Sequence, residues 1–134
     1  MSNLSAFLNP ARVDNRALVI SDRFKEEDGR PAPFVIRPLT QQENDGLVRQ
    51  STHTVKVNGQ PVEKLNSLEY GRRVVVAATV TPDFTSEELC RAYGTMDPLE
   101  VPGRMLLVGE YNKLSSAIME LSGLTDDLEE QAKN

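Results

Sequence analysis

One histidine and one cysteine bound the chemistry open to this 134-residue chain. His53 stands alone, so any site that needs two imidazoles is excluded, and its neighbours Thr52 and Thr54 place it in a polar, solvent-facing stretch. Cys90 could act as a nucleophile only beside a base and in an electropositive setting that stabilises its thiolate. Glu87 and Glu88 supply the opposite sign, and Leu89 and Tyr93 surround it with apolar bulk, the setting of a packing cysteine. One Cys and one His cannot complete a zinc site, and no D-x-D-x-D-G run offers a calcium loop. Gly103 and Gly109 lack both the Gly-Lys-Ser/Thr and the G-x-G-x-x-G context of a phosphate cradle. With 20 Asp and Glu residues present, type alone nominates neither Asp83 nor Glu110 as an acid or base, and Glu110 is expected to pair with Lys113 on a helix surface. The chain is expected to be non-enzymatic, with no metal and no cofactor.

With no reactive set to position, the packing elements carry the information. In Arg104–Gly123, RMLLVGEYNKLSSAIMELSG, the residues Leu107, Tyr111, Leu114, Ile118 and Leu121 recur at four- and three-residue steps along one side of a helix. Gly123 follows the last of them, where a left-handed residue ends a helix. Burying such side chains is worth ~1.5–3 kcal/mol each before ordering entropy, so the stripe must pack on something. Two readings stay open: an intramolecular core face, or a partner surface with Leu107, Tyr111, Leu114 and Ile118 as its candidate contacts.

The remaining elements form an α+β pattern, a predominantly helical single domain over residues 1–124 with a small antiparallel β-hairpin sheet. Ala17–Phe24 and Pro33–Leu39 alternate as strands and are joined by a polar loop containing Asp28-Gly29, which predicts a hairpin with Phe34 and Ile36 on one face. Thr40 and Glu43 are spaced as a capping box and open a helix over 41–50. Asn58-Gly59 marks a second hairpin between His53–Val57 and Pro61–Lys64, confined by Pro61 to an edge or an excursion. Leu4, Phe7 and Leu8 make one apolar turn before Asn9-Pro10. Thr85–Glu88 is a capping-box pattern for a helix that Gly94 closes, Asp97-Pro98 begins another turn, and Pro102 interrupts it before the long helix. Residues 66–81 are balanced: the β-branched Val74–Val76 and Thr79–Thr81 favour a strand, whereas Asn66, Glu69 and the distance to Pro82 favour a helix. Residues 125–134, with Asp126, Asp127, Glu129 and Glu130 around Leu128, are expected to be an acidic, flexible tail.

Bulk properties exclude further classes. Hydrophobic residues make up 39% and aromatics 5%, so the core should be aliphatic and modest. A net charge of −5 with scattered Arg and Lys argues against nucleic-acid binding, and Arg72-Arg73 alone is too little for a polybasic membrane patch. No run approaches the roughly 18 apolar residues of a membrane helix, the N-terminus lacks a signal-peptide pattern, and one Cys suits a reducing compartment, so a cytoplasmic location is expected.

Four segments in order, VISDRF (19–24), FVIRPLTQQE (34–43), ATVTPDF (78–84) with Glu87-Glu88-Leu89 and Ala92-Tyr93-Gly94, and MLLVGEYNKLSSAIMELSGL (105–124), resemble the XkdN-like tail assembly chaperones of phages and defective prophages of Gram-positive bacteria. The resemblance favours the helical reading of 66–81. It implies a non-enzymatic morphogenesis factor of a long-tailed phage that holds the tape measure protein until tail tube subunits polymerise around it and is absent from the mature virion. It also implies a tail tube contact through a longer frameshifted product, and self-association is compatible with it. The alternative is a structural tail or baseplate component retained in the virion.

Overall fold

The computed structural model describes residues 4–124; the acidic tail expected at 125–134 lies outside the described residues. The fold is α+β with helices dominant, in the order α1 (Leu4–Leu8), β1 (Arg16–Leu18), β2 (Phe34–Ile36), α2 (Gln41–Gln50), β3 (Thr52–Val57), β4 (Gln60–Leu65), α3 (Ser67–Ala78), β5 (Thr79–Thr81), α4 (Glu87–Ala92), a 3-10 turn (Pro98–Glu100), α5 (Val101–Met105) and α6 (Val108–Leu121).

The first hairpin forms with β1 antiparallel to β2, Arg16 opposite Ile36 and Leu18 opposite Phe34. It is shorter than expected. The chain leaves the sheet after Leu18, and Ser21–Phe24 turns instead toward the start of α6. Alternation sends Phe34 and Ile36 into the core and Val35 outward. A third strand, β5, pairs antiparallel with the free edge of β2 and introduces an irregularity between Val35 and Ile36.

Both expectations for residues 66–81 are met in part, because the segment divides. The Asn66 side chain accepts the Glu69 N–H at 3.0 Å and caps α3. Val74, Val75 and Ala78 then lie buried on one helical face. At Thr79 the backbone becomes extended and completes the sheet, and the Arg37 N–H donates to the Ala78 carbonyl at 2.9 Å. Burial on a helical face overrides the strand preference of three consecutive valines, and a free sheet edge captures the β-branched residues that follow.

Helix α2 occupies its expected span with a complete capping box: Thr40 Oγ accepts the Glu43 N–H at 3.2 Å, and the Glu43 carboxylate accepts the Thr40 N–H at 3.1 Å. Beyond it, Asn58 and Gly59 both take positive φ, as the two-residue turn between β3 and β4 requires. This hairpin is a separate two-stranded sheet with nearly every side chain exposed. His53, on β3, is half-exposed and meets Glu69 of α3 at 2.8 Å; Glu69 also accepts from Arg73, and these partners, His53 first, lower its pKa.

Two helix starts differ from expectation. Ser86, not Thr85, caps α4, because Thr85 is turned back onto Asp83. Pro102 does not interrupt a turn; it sits in the first turn of α5, where its missing N–H costs nothing. The long helix expected from Arg104 begins instead at Val108, since Leu106 and Leu107 are extended.

The core is aliphatic apart from Phe34 and Phe84, and it joins the sheet, α3, α5 and α6 through Ile36, Val74, Val75, Val101, Leu114 and Ile118. Phe24 closes one side, edge-on to Phe34 at 5.6 Å between ring centroids. Leu114 and Ile118 are both 0% exposed, whereas Leu107 is 59% exposed. Leu114→Ala or Ile118→Ala is therefore expected to cost ~2–5 kcal/mol of unfolding free energy, the range for emptied core sites. Leu107→Ala should stay within ~0.5 kcal/mol. Urea denaturation of the three variants measures this, and equal costs at all three would contradict the burial described.

Candidate functional site

The start of α6 is built by a carboxylate. Leu107 occupies the cap position and has no side-chain acceptor for the first-turn N–H groups; the reciprocal half of a capping box is present, with Glu110 accepting the Leu107 N–H at 2.8 Å. Glu110 does not pair with Lys113 across a solvated surface. It is buried at the 9% level and held by Arg23, whose Nε and NH2 reach its two oxygens at 2.8 and 2.5 Å. The same guanidinium donates to the Met105 carbonyl at 3.1 Å and lies over the Phe24 ring. Arg23 first, then the Ser21 hydroxyl and the Leu107 N–H, hold Glu110 down at a pKa of about 2, while its desolvation acts in the opposite sense. Sequence spacing could not reveal this contact, because Arg23 and Glu110 are 87 positions apart.

Because α6 starts where this clamp places it, the four sequence-nominated contacts separate. Leu114 and Ile118 face α3 and the sheet as core, with no surface left to offer. Tyr111 is half-buried, and burial raises its hydroxyl pKa against the opposing pull of Arg72. Only Leu107 stands largely in solvent. Beside it are two apolar residues not nominated from sequence, Val108 at 81% exposure and Leu68, near the start of α3, at 65%. Leu68 sits at the margin of the α3 stripe, and only the packing angle of two helices decides whether such a position is covered.

Between these helix starts lies an open groove of about 250 Å³ lined by Leu68, Arg72, Leu106, Val108, Tyr111 and Asn112, with Gly103 at its edge. A Cβ on Gly103 would meet nothing within 4 Å. Leu106 and Tyr111 are its less exposed side chains and Leu68 and Val108 its more exposed ones. Arg72 is the one charged side chain among the described lining residues, with no hydrogen bond or ion pair of its own among them.

Elsewhere the potentially reactive groups are occupied or apart. Cys90 is buried with its Sγ 3.5 Å from the Phe84 carbonyl. Asp83 accepts from the hydroxyl and N–H of Thr85, which lowers its pKa. Among the described residues no three His, Cys, Asp or Glu side chains gather as a metal set, and no helix is long and apolar enough to cross a membrane.

Glu110 gives a directional expectation. Its folded pKa lies below the ordinary 4.5, so its contribution to stability is fully present above about pH 4.5 and is lost as pH falls toward 2. Glu110→Gln should lower the urea midpoint at pH 7 and flatten the fall in stability between pH 4.5 and 2. Parallel pH profiles for the two proteins would show that the clamp is not a source of acid sensitivity.

Residues 4–134 match the family model described as phage XkdN-like tail assembly chaperone protein. The chain is 39% identical over 120 residues to the phage-like element PBSX protein XkdN of Bacillus subtilis strain 168, covering 86% of this chain and 81% of that protein. It is equally similar to YqbN of the same strain, covering 86% and 80%. A crystal structure of YqbN superposes with a TM-score of 0.78 at 31% identity, covering 92% of this chain and 98% of the other. The match extends over nearly the whole chain in sequence and in fold: the chain belongs to the phage XkdN-like tail assembly chaperone family.

Proposed function

We propose that this protein is a non-enzymatic chaperone that binds the tape measure protein of its phage or prophage in the host cytoplasm and is released before the tail is complete. The family match over residues 4–134 carries this reading. The surface is compatible with it. A tape measure protein is long and largely helical, and a chaperone for it needs accessible apolar contacts together with net charge that keeps the complex dispersed. The −5 charge supplies the second requirement, and Leu68, Leu107 and Val108 supply the first. Of the nominated contacts, Leu107 and Tyr111 would meet the client directly, while Leu114 and Ile118 would act by holding the helix in place. Several copies along one extended client would gain from avidity without any single deep site. Contact with the tail tube protein would come through a longer, frameshifted product, and self-association on the client is part of the same reading.

Co-expression with the cognate tape measure protein should keep the client soluble and recover the two together on affinity purification. A soluble client with no associated chaperone would overturn the proposal. Mass spectrometry of purified tails should find the protein absent, and its stoichiometric presence there would identify a retained structural or baseplate component instead.

A further inference from the structure

We propose that the groove between the starts of α3 and α6 is where an acidic amphipathic helix docks, seating apolar side chains on Leu106, Val108 and Leu68 and a carboxylate on Arg72. This rests on the chaperone reading and names the part of the client it takes. Leu68 and Val108 are exposed and line the groove together with Leu106, which is itself buried at 8% exposure, so the accessible apolar surface there comes mainly from the first two. Arg72 lies one helical turn beyond Leu68 on the same face of α3, so its guanidinium borders that surface. A ligand helix with apolar residues at i and i+4 and an Asp or Glu at the margin matches both features at once.

Charge excludes the nearer alternatives. A second copy meeting this face across a two-fold axis would bring the same lining, which among the described residues holds no carboxylate for Arg72. Helix α1, sequence LSAFL, is apolar enough but carries no acid. The acidic run around Leu128 has the right composition, but it leaves from the far end of α6. Val108 to Leu121 spans ~20 Å of helix. Leu128, four residues past Leu124, reaches at most ~14 Å from it. Within one chain Leu128 thus falls short of Val108.

The probes are fluorescein-labelled, overlapping 30-residue peptides covering the cognate tape measure protein, read by polarisation against the full-length chaperone. Peptides with an acidic amphipathic stretch should bind. Val108→Asp should weaken them about tenfold or more, the scale of a central interface contact. It should do so without lowering the urea midpoint, because an acid in the first turn suits a helix start. Arg72→Glu should weaken the same peptides, and replacing the peptide's acidic residues by Lys should restore binding to Arg72→Glu while abolishing it for the wild type.

Unchanged affinity in both variants, with co-expression still yielding a complex, would overturn the groove and leave the chaperone reading standing. No peptide binding together with no complex would overturn both. A variant that lowers the sedimentation coefficient but keeps peptide affinity would make the groove a contact between copies. Tighter peptide binding on deletion of 125–134 in dilute monomer is the result opposite to the reach argument, and it would assign the groove to the tail.

Discussion

The fold turns on the contact between Arg23 and Glu110. A helix start leaves backbone N–H groups without partners, and at α6 the cap residue is Leu107, which cannot supply an acceptor. Glu110 supplies only the reciprocal half of a capping box, accepting the Leu107 N–H from within the helix, and this buries a carboxylate that must itself be paired. Arg23 pairs it from the other end of the chain and uses a further donor on the last carbonyl of α5. One guanidinium thus fixes the break between α5 and α6, the start of the longest helix, and the path of the chain after β1. The extended Leu106-Leu107 step follows: continuing the helix from Arg104 would carry Glu110 away from the backbone group it caps.

The same construction recurs on the opposite side of the core. Glu43 caps α2 at Thr40 and is held by Arg37, which also donates to the Ala77 carbonyl near the end of α3. Arg37 first, then the Thr40 N–H, brings the Glu43 pKa to about 2. In each case a carboxylate three residues into a helix satisfies a local need, and an arginine from a strand or the segment after it converts that need into a tertiary contact. Few aromatic side chains are available to lock the elements by shape alone, and these two arginine–carboxylate pairs fix relative positions that an aliphatic core would leave less defined.

Local devices were legible in the sequence; their use at a distance was not. Thr40 with Glu43, Asn58-Gly59, Asp97-Pro98 and Gly94 each act within a few residues of where they lie, so their spacing alone placed α2, the second hairpin, the 3-10 turn and the end of α4. Residues 66–81 resisted because two local preferences were both real. Which one prevails at each position depends on the core face of α3 and the open edge of β2, and neither is visible along the chain. Glu110 was misread for the same reason. Lys113 is the neighbour that sequence offers, and Arg23 is the one the fold provides. On the candidate surface, periodicity located the right helix but could not divide its stripe between core and solvent. That division is set by where the helix starts, and the start is set by the clamp.

The exposed apolar residues at the start of α6 follow from this division. Leu114 and Ile118 stabilise the domain only by being covered, so selection on folding acts on them directly. Leu107 and Val108 are exposed although the residues before them are core, and the clamp holds that end of the helix through its backbone and Glu110, not through their side chains. Their apolar character contributes little to folding and carries a solubility cost in a chain whose net charge otherwise keeps it dispersed. Apolar side chains placed in solvent at a rigid helix start, beside an arginine that makes no hydrogen bond or ion pair among the described residues, need a reason outside the folded domain. The helical client proposed above would supply one: the clamp keeps the surface pre-organised, so little ordering entropy would oppose each contact.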